Sequence, residues 1–328
     1  LDDHYYGQIK PRVSAFMAEL DEELWKLGIL AKSKHNEVAP AQHELAPLFT
    51  SANIATDNNQ LMMEMMKIVA ARHGMVCLLH EKPFEGINGS GKHNNWSLST
   101  SSGENLLEPG KSPHENAQFL IFLCAVIGAV HKHQDLLRIS AASAGNDHRL
   151  GANEAPPAVV SMFIGEELEE VLKAIRDDAA YEGKKRVKMT VGVSTLPRIS
   201  RDNTDRNRTS PFAFTGNKFE FRSVGSSDSI GCANIMLNTI VADELEHFAD
   251  ALEKSDDFIK DVHELVKETL KEHDAIIFDG NGYSDEWVKE AEKRGLLNLK
   301  TAVDAFPYYL KEDNIKLFEH HKVYTGAE

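Results

Sequence analysis

The chain has no long apolar run, few cysteines and no excess of positive charge, and each absence excludes a class of protein. Its most apolar stretch, residues 119–130, is shorter than the roughly 18 residues that a membrane-spanning helix needs. Its 36 Lys and Arg are outnumbered by 51 Asp and Glu, and the resulting net charge of -15 repels phosphate backbones and anionic headgroups. We therefore expect a soluble protein that binds neither nucleic acid nor membranes.

The cysteines and the first residues indicate the compartment. Cys77, Cys124 and Cys232 are single, widely spaced and set in apolar runs, and the chain begins without a basic and apolar leader. We expect a reducing cytoplasm, with the thiols as core residues. A chain of 328 residues that is 42% hydrophobic can bury a substantial core.

The spacing of apolar residues predicts an α+β fold. Apolar residues recur at helical intervals at 13–27 and 61–69, and further helices are expected at 114–133, 164–180, 229–253 and 255–273, with one or two beyond 284. Strand-like runs occupy 75–79, 92–100 and 217–223. Strands and helices do not alternate regularly, which indicates an α+β fold. Because the sequence shows no repeat and no low-complexity linker, we expect one domain over residues 1–254, followed by a charged helical segment at 255–328.

The first segment with possible chemistry contains two carboxylates, Glu37 and Glu44, with Pro40 between them. Proline argues against a continuous helix, and in one unbroken strand the odd spacing would separate the carboxylates onto opposite faces. A kink at Pro40 would let both converge on a hard cation such as Mg2+ or Mn2+. Two ordinary surface glutamates are the alternative.

The second segment, residues 82–97, contains a glycine-rich turn with two interpretations. Residues 86–92 match the first part of a phosphate-binding P-loop, but His93 follows where that motif needs Ser or Thr. The next residues alternate as in a strand, which would place His93, Asn95 and Ser97 on one polar face. A ligand-bearing strand is the better interpretation, and a hydrogen-bonded structural histidine remains the alternative for His93.

Two further segments carry charged residues. On a strand at 217–223, Lys218, Glu220 and Arg222 would share one face while two phenylalanines share the other. This arrangement fits either an ion pair within the sheet or a metal-ligating carboxylate beside a phosphate-binding arginine. Residues 146–157 form a loop by their Asn, Gly and Pro content, suited either to ligand contact or to simple solvation.

Taken together, these segments resemble the glutamine synthetase family. The Lys-Pro, Asn-Gly-Ser-Gly, His and Ser of residues 82–97 resemble its ATP-binding signature, and residues 37–44 resemble its Glu…Gln-x-Glu metal segment. Its Arg-Leu…Glu-Ala-Pro, Asn-Arg-Ser and Glu-x-Arg motifs correspond to residues 149–156, 207–209 and 220–222, in the family's order. The amino-acid sequence of residues 149–157 most resembles that of the type III branch of large bacterial enzymes.

The resemblance implies a fold and a role for individual residues. The expected fold is the family's catalytic domain, an antiparallel half-barrel sheet covered by helices, over residues 1–254. Two or three Mg2+ or Mn2+ ions would be held by four ligands: Glu37, Glu44, His93 and Glu220. Substrate glutamate would contact Asn88, Gly89 and Arg149, and the nucleotide would contact Phe49, Ser97, Lys218 and Arg208. Arg208 and Arg222 would stabilise the transferred phosphoryl group, and Glu154 would form the ammonium site.

The implied reaction is ATP-dependent ligation of ammonia to the glutamate side chain through γ-glutamyl phosphate, in a homo-oligomer of stacked rings with sites between subunits. The family's Glu-x-Glu strand and its N-terminal β-grasp domain have no counterpart before Glu37, so we expect a truncated chain that makes little glutamine alone. No second arginine follows residues 207–209, although the family has one there. A γ-glutamyl ligase that uses an amine, and a non-catalytic regulatory relative, are the alternatives.

Overall fold

The computed structural model describes residues 5–152, 155–179 and 210–328, together with the backbone of two short strands at 188–189 and 199–200. Its longer helices are α1 Pro11–Lys26, α2 Ala52–Arg72, α3 Ala117–Lys132, α6 Glu166–Arg176, α7 Ile230–Leu252, α8 Phe258–His273, α9 Asp285–Lys293 and α11 Glu312–His320. Shorter helices are α4 Gln134–Ile139, α5 Ala144–Asp147 and α10 Ala302–Ala305. The strands are β1 Ala31–Asn36, β2 His43–Pro47, β3 Gly91–Trp96, β4 Met162–Phe163, β5 Lys188–Met189, β6 Ile199–Ser200, β7 Phe212–Phe214 and β8 Phe219–Gly225.

The main sheet has four strands in the order β3-β8-β7-β4. Its β3/β8 and β7/β8 pairs are antiparallel, as expected, whereas β4 joins β7 in parallel. The α+β class predicted from the sequence is confirmed, with a mixed sheet in the described part instead of a purely antiparallel one. Separate antiparallel pairs are formed by β1 with β2 and by β5 with β6.

The core forms where the sheet meets α3. This helix is apolar on nearly its whole circumference, and residues Leu123–Val130 are all buried, as expected for a helix enclosed by other elements. It contacts α7 and α8 on its sides. From the sheet, Phe219 and Phe221 of β8 and Phe212 of β7 are fully buried in the same cluster. The strand that carries the predicted Glu-x-Arg motif is therefore fixed by its alternate phenylalanines.

A smaller apolar cluster lies under the first part of the chain. Leu20 and Leu24 of α1 pack against Met62 and Val69 of α2, with Ile29 beside them. The β1–β2 hairpin reaches this cluster through Leu45, which is partly buried against it. This packing gives the hairpin a fixed support.

The structure differs from two of the predicted elements. Residues 75–79 do not form a strand, because they pair with no other strand among the described residues, and Val76 is 82% exposed. The helix expected at 114–133 is divided into a 3-10 turn at Pro113–Glu115 and α3, whose N-terminus is capped by the Asn116 side chain. Among the described residues, no helix has the length and apolar character required to cross a membrane.

The segment after residue 254 packs onto the preceding elements. Val262, Val266 and Leu270 of α8 are buried in the main cluster, and α8 contacts α3, α6 and α7. The boundary between residues 254 and 255 stays a prediction.

Candidate active site

The β1–β2 hairpin brings Glu37 and Glu44 together. Its strands pair His35 with Glu44, and the turn is closed by a hydrogen bond from the Glu37 amide to the Gln42 carbonyl. Pro40 therefore lies in a hairpin turn and not in a kinked strand, and the pairing of two strands produces the convergence. Ligand atoms of His35, Glu37 and Glu44 all lie within 4.8 Å of one another.

The two carboxylates of this cluster repel each other, and His35 contacts both of them. His35 Nε2 lies 2.9 Å from Glu37 Oε1 and 3.6 Å from Glu44 Oε2. Burial, reinforced by the neighbouring Glu44 carboxylate, raises the pKa of Glu37 to about 7. A bound cation would relieve the repulsion between these two carboxylates, so the donor set suits a divalent metal ion.

The glycine-rich loop that precedes β3 is hydrogen-bonded to this hairpin. Gln42 Nε2 donates to the Gly89 carbonyl at 2.8 Å, and the neighbouring Asn88 is half-buried. The loop leads directly into the strand that carries His93. The hairpin and the predicted Asn-Gly-Ser-Gly turn are therefore parts of one assembly.

The predicted metal ligands His93 and Glu220 lie side by side on β3 and β8. His93 Nδ1 is 3.0 Å from Glu220 Oε1, and the two side chains are 38% and 9% exposed. His93 and Asn95 are exposed whereas Asn94 and Trp96 are buried, so the predicted alternation of β3 is confirmed. The register shifts between Lys92, opposite Val224, and Asn94, opposite Phe221, which leaves an extra residue in β8.

Arg149 holds this irregular part of β8. Its guanidinium donates to the carbonyl oxygens of Arg222, Ser223 and Val224 at 3.0–3.4 Å. The same side chain fills the space beside Gly91, where an added Cβ would overlap Arg149 Nη2. Arg149 is thus a buried support for the glycine-rich loop, and its contact with a substrate carboxylate stays a prediction.

A second positive charge, that of Arg222, lies near Arg149. Burial lowers the pKa of Arg149 to about 10, and the positive charge of Arg222 contributes to that shift. Both arginines are almost fully buried, at 4% and 2% exposure. The carboxylates of Glu81 and Asp228 oppose this shift in the pKa of Arg149, and the two guanidinium groups would also attract an anionic ligand.

Lys92, the lysine of the P-loop interpretation, points to the backbone. Its ammonium donates to the carbonyls of Ser226 and Asp228 at 2.6 Å and of Gly225 at 3.2 Å. Burial lowers the pKa of Lys92 to about 8. The segment continues as a strand and not as a helix, so the P-loop interpretation is wrong in its structural context.

The predicted nucleotide residues are only partly brought together. Ser97 Oγ donates to the Asn217 carbonyl at 3.0 Å, which places it beside the half-buried Lys218 at the start of β8. Phe49 follows β2 and is 97% exposed. The roles of all three toward a nucleotide stay predictions.

Two predicted residues, Glu154 and Arg208, lie outside the described residues, together with the rest of 207–209. Their roles as ammonium-site and phosphoryl-group contacts also stay predictions.

Sequence reasoning missed two residues of this region. His35 joins the carboxylate cluster, and its position two residues before Glu37 in an extended segment was the available signal. Glu81 is 3% exposed and accepts hydrogen bonds from the Ser227 amide and hydroxyl. Burial opposes its ionisation, but these bonds keep the pKa of Glu81 below its ordinary value. No sequence pattern marks Glu81, because its partner is 146 residues away.

The assembled site combines metal-ligating groups with buried cations. Two imidazole–carboxylate clusters are linked through a glycine-rich loop to a pair of buried arginines. Such a site suits divalent cations and an anionic ligand held together.

Comparison with known proteins identifies the family. Residues 3–162 match the family model of the glutamine synthetase catalytic domain, and residues 261–328 match that of the glutamine synthetase C-terminal domain. The two matches together cover more than half of the chain. The chain therefore belongs to the glutamine synthetase family.

Several curated relatives are similar over the whole chain. A glutamine synthetase of Butyrivibrio fibrisolvens is 56% identical over 333 residues, which cover 100% of this chain and 47% of the relative. The type-3 glutamine synthetase of Dictyostelium discoideum is 48% identical, with 100% and 45% covered, and a glutamine synthetase of Bacteroides fragilis is 47% identical, with 100% and 46% covered. The chain thus spans about half the length of the curated relatives it matches. Similarity to a type-3 relative agrees with the predicted type III branch.

Solved structures share the fold at low identity. A structure described as "Apo GmaS without ligand" superposes with a TM-score of 0.51 and 17% identity, covering 94% of this chain and 66% of the other. One described as "GmaS/ADP complex-Conformation 1" gives a TM-score of 0.52 at 17% identity, with 94% and 55% covered.

Proposed function

We propose that the natural protein ligates ammonia to the side-chain carboxylate of L-glutamate, consuming ATP through γ-glutamyl phosphate and giving glutamine, ADP and phosphate. We further propose that it works in the cytoplasm as a homo-oligomer of stacked rings, with sites between subunits.

The observation that carries this proposal is a continuous series of contacts between the candidate residues. The hairpin with Glu37 and Glu44 is bonded to Gly89 through Gln42. The loop at Gly89 rests on Arg149, which is bonded to the β8 backbone at Arg222. Metal, glutamate and phosphoryl contacts are therefore candidates for one site and not for separate surfaces.

The donor sets fit divalent metal ions. Glu37 and Glu44, with His35 beside them, would hold an ion on the glutamate and ammonia side, and His93 with Glu220 would hold one on the phosphate side. Mg2+ or Mn2+ bound there would reduce the repulsion between the glutamate carboxylate and the triphosphate.

The remaining residues have electrostatic and positioning tasks. Arg222, with Arg208, would oppose the negative charge that spreads over the transferred phosphoryl group. Arg149 is positioned to shape the loop in which Asn88 and Gly89 contact glutamate. Glu154 would hold the ammonium cation and accept a proton from it. The nitrogen of the resulting ammonia would then attack the carbonyl carbon of the acyl phosphate, and the C–O bond would break to release inorganic phosphate.

Two variants of the natural full-length protein test this division of roles. Glu154→Ala should retain ATP binding and some glutamate-dependent phosphate release while glutamine formation falls steeply, because γ-glutamyl phosphate would then be lost to water or cyclisation. Glu220→Ala should lose both products, because a phosphate-side ligand is missing. The measurement is a parallel phosphate and glutamine assay at saturating Mg2+.

The exposed carboxylate of Glu253, at the end of α7, provides the matched control, and Glu253→Ala should keep wild-type rates. Normal phosphate release in Glu220→Ala would contradict the proposal. Equal loss of both products in Glu154→Ala would contradict the assignment of Glu154 to the ammonium site. Methylamine offered in place of ammonia tests the amine-ligase alternative.

A further inference from the structure

A second group of metal-ligating side chains lies outside the active site, where α11 crosses α7. Ligand atoms of Asp243, Glu246, His320 and His321 all lie within 4.8 Å of one another. The group contains no residue of the candidate active site, and neither the sequence motifs nor the proposed function uses it.

The two helices bring these four side chains together by different means. Asp243 and Glu246 are three residues apart on α7, so they share one face of that helix. His320 is the last residue of α11, His321 is its C-cap, and Lys322 adopts a positive φ of 56° that ends the helix. The two adjacent imidazoles therefore both reach the same face of α7, with ring centroids 4.7 Å apart.

Each histidine already lies against one carboxylate. His320 Nε2 is 2.7 Å from Glu246 Oε2, and His321 Nε2 is 2.9 Å from Asp243 Oδ1. Tetrahedral Zn2+ with bonds of about 2.1 Å places neighbouring ligand atoms roughly 3.4 Å apart. Each pair would thus open by less than 1 Å to admit the ion, and ligand atoms of different pairs, which lie within 4.8 Å of one another, would close by at most about 1.4 Å. Side chains at a helix surface can make such a movement by rotation alone.

The donor set indicates which ion fits. Mg2+ and Ca2+ select oxygen ligands, whereas imidazole nitrogens suit Zn2+ and the later transition metals. Two neutral imidazoles and two carboxylates satisfy four-coordinate Zn2+ and balance its charge. We propose that Asp243, Glu246, His320 and His321 form a zinc site that fastens the C-terminal helix α11 to α7.

This proposal is independent of the proposed function. His321 and Asp243 are 17% and 39% exposed, and His320 and Glu246 are 58% and 51% exposed, so the site opens to solvent and an ion can enter. Because the ligands come from two helices, zinc would bind the folded arrangement more tightly than the unfolded chain. Zinc should therefore stabilise the protein.

The test is a zinc titration of the zinc-free natural full-length protein against a chromophoric zinc chelator, with saturating Mg2+ present. The variant His320→Asn/His321→Asn should bind one zinc ion fewer per chain than the wild type. With Co2+ as the probe, the visible absorption typical of tetrahedral cobalt should appear in the wild type and be lost in the variant. Zinc should also raise the unfolding temperature of the wild type but not of the variant.

The matched control is His247→Asn/His263→Asn, which removes two exposed histidines from α7 and α8 that do not belong to the cluster. It should bind zinc like the wild type. The single variant Glu246→Gln, at an exposed position, tests the site with minimal risk to folding and should weaken zinc binding. Unchanged zinc stoichiometry and affinity in His320→Asn/His321→Asn would overturn the proposal. The four wild-type side chains would then form only two surface ion pairs, His320 with Glu246 and His321 with Asp243.

Discussion

At the scale of single residues, Lys92 and His93 are neighbours in β3 with opposite surroundings. The Lys92 ammonium is enclosed by three backbone carbonyls of residues 225–228. His93 faces the buried carboxylate of Glu220 on the polar side of the sheet. A lysine held in this way fixes the turn after β8, whereas the histidine remains available to a ligand.

The first prediction follows from this contrast. His93→Ala should weaken the binding of an ATP analogue with Mg2+ by at least about tenfold, the scale seen when a residue at a metal site is removed. Lys92→Met should leave binding within about threefold but reduce the free energy of unfolding by about 1–2 kcal/mol, because three carbonyls lose their donor. Calorimetric titration and urea unfolding measure the two effects. Equal losses of binding in both variants would favour a phosphate-binding lysine.

At the scale of elements, α3 and α8 meet through a pair of histidines. His131 Nδ1 lies 2.9 Å from His273 Nδ1, and the His273 side chain is 5% exposed. Burial lowers the pKa of His273 to about 4, and the positive charges of Lys132 and His131 add to this shift against the opposing effect of Glu272. The interface thus requires a neutral imidazole.

The second prediction is a loss of stability in acid. Above pH 6.5 His273 is neutral in both states, and between pH 6.5 and about 4 the unfolded chain binds a proton that the folded chain does not. The free energy of unfolding should therefore fall with decreasing pH over this window, by up to about 3 kcal/mol from this group. Urea unfolding at pH 7, 6 and 5 measures the slope. His273→Asn, which keeps a polar partner for His131, should flatten it, and an unchanged slope would refute this assignment.

At the scale of the whole molecule, the C-terminal segment is fixed to the core by buried polar contacts. Arg138 of α4 is 3% exposed and donates to the Leu299 carbonyl at 2.7 Å and to Asp147 at 3.0 Å. Asp147 in turn accepts from the Ala302 amide at 2.7 Å. These bonds satisfy backbone groups that would otherwise be buried without partners.

The third prediction concerns this link. Arg138→Leu should reduce the free energy of unfolding by about 3 kcal/mol or more, because the carbonyls of Leu299 and Lys300 lose their donor and Asp147 keeps only the Ala302 amide. Limited proteolysis of this variant should cleave first after residue 294. Lys316→Leu, which removes an exposed i,i+4 pair with Glu312, is the control and should change stability by less than about 0.5 kcal/mol. Similar stability of the two variants would contradict a structural role for Arg138.

Most helices and the faces of the two central strands could be predicted from the sequence alone. Helical spacing of apolar residues reports burial of one face, so α7 and α8 could be predicted within three residues of their observed ends. Alternation likewise placed His93 on the open face of β3 and Phe219 in the core. These properties depend on neighbours along the chain, and a local pattern is enough to encode them.

Contacts between groups that are distant in the sequence depend on the folded arrangement of the chain. His35 joins Glu44 through hairpin pairing, and Arg149 reaches carbonyls of β8 more than 70 residues away. The extra residue in β8 and the parallel edge at β4 likewise depend on register between separate segments. Backbone carbonyls occur at every residue and carry no sequence signature, so contacts such as those of Lys92 and Arg149 are fixed only when the chain has folded.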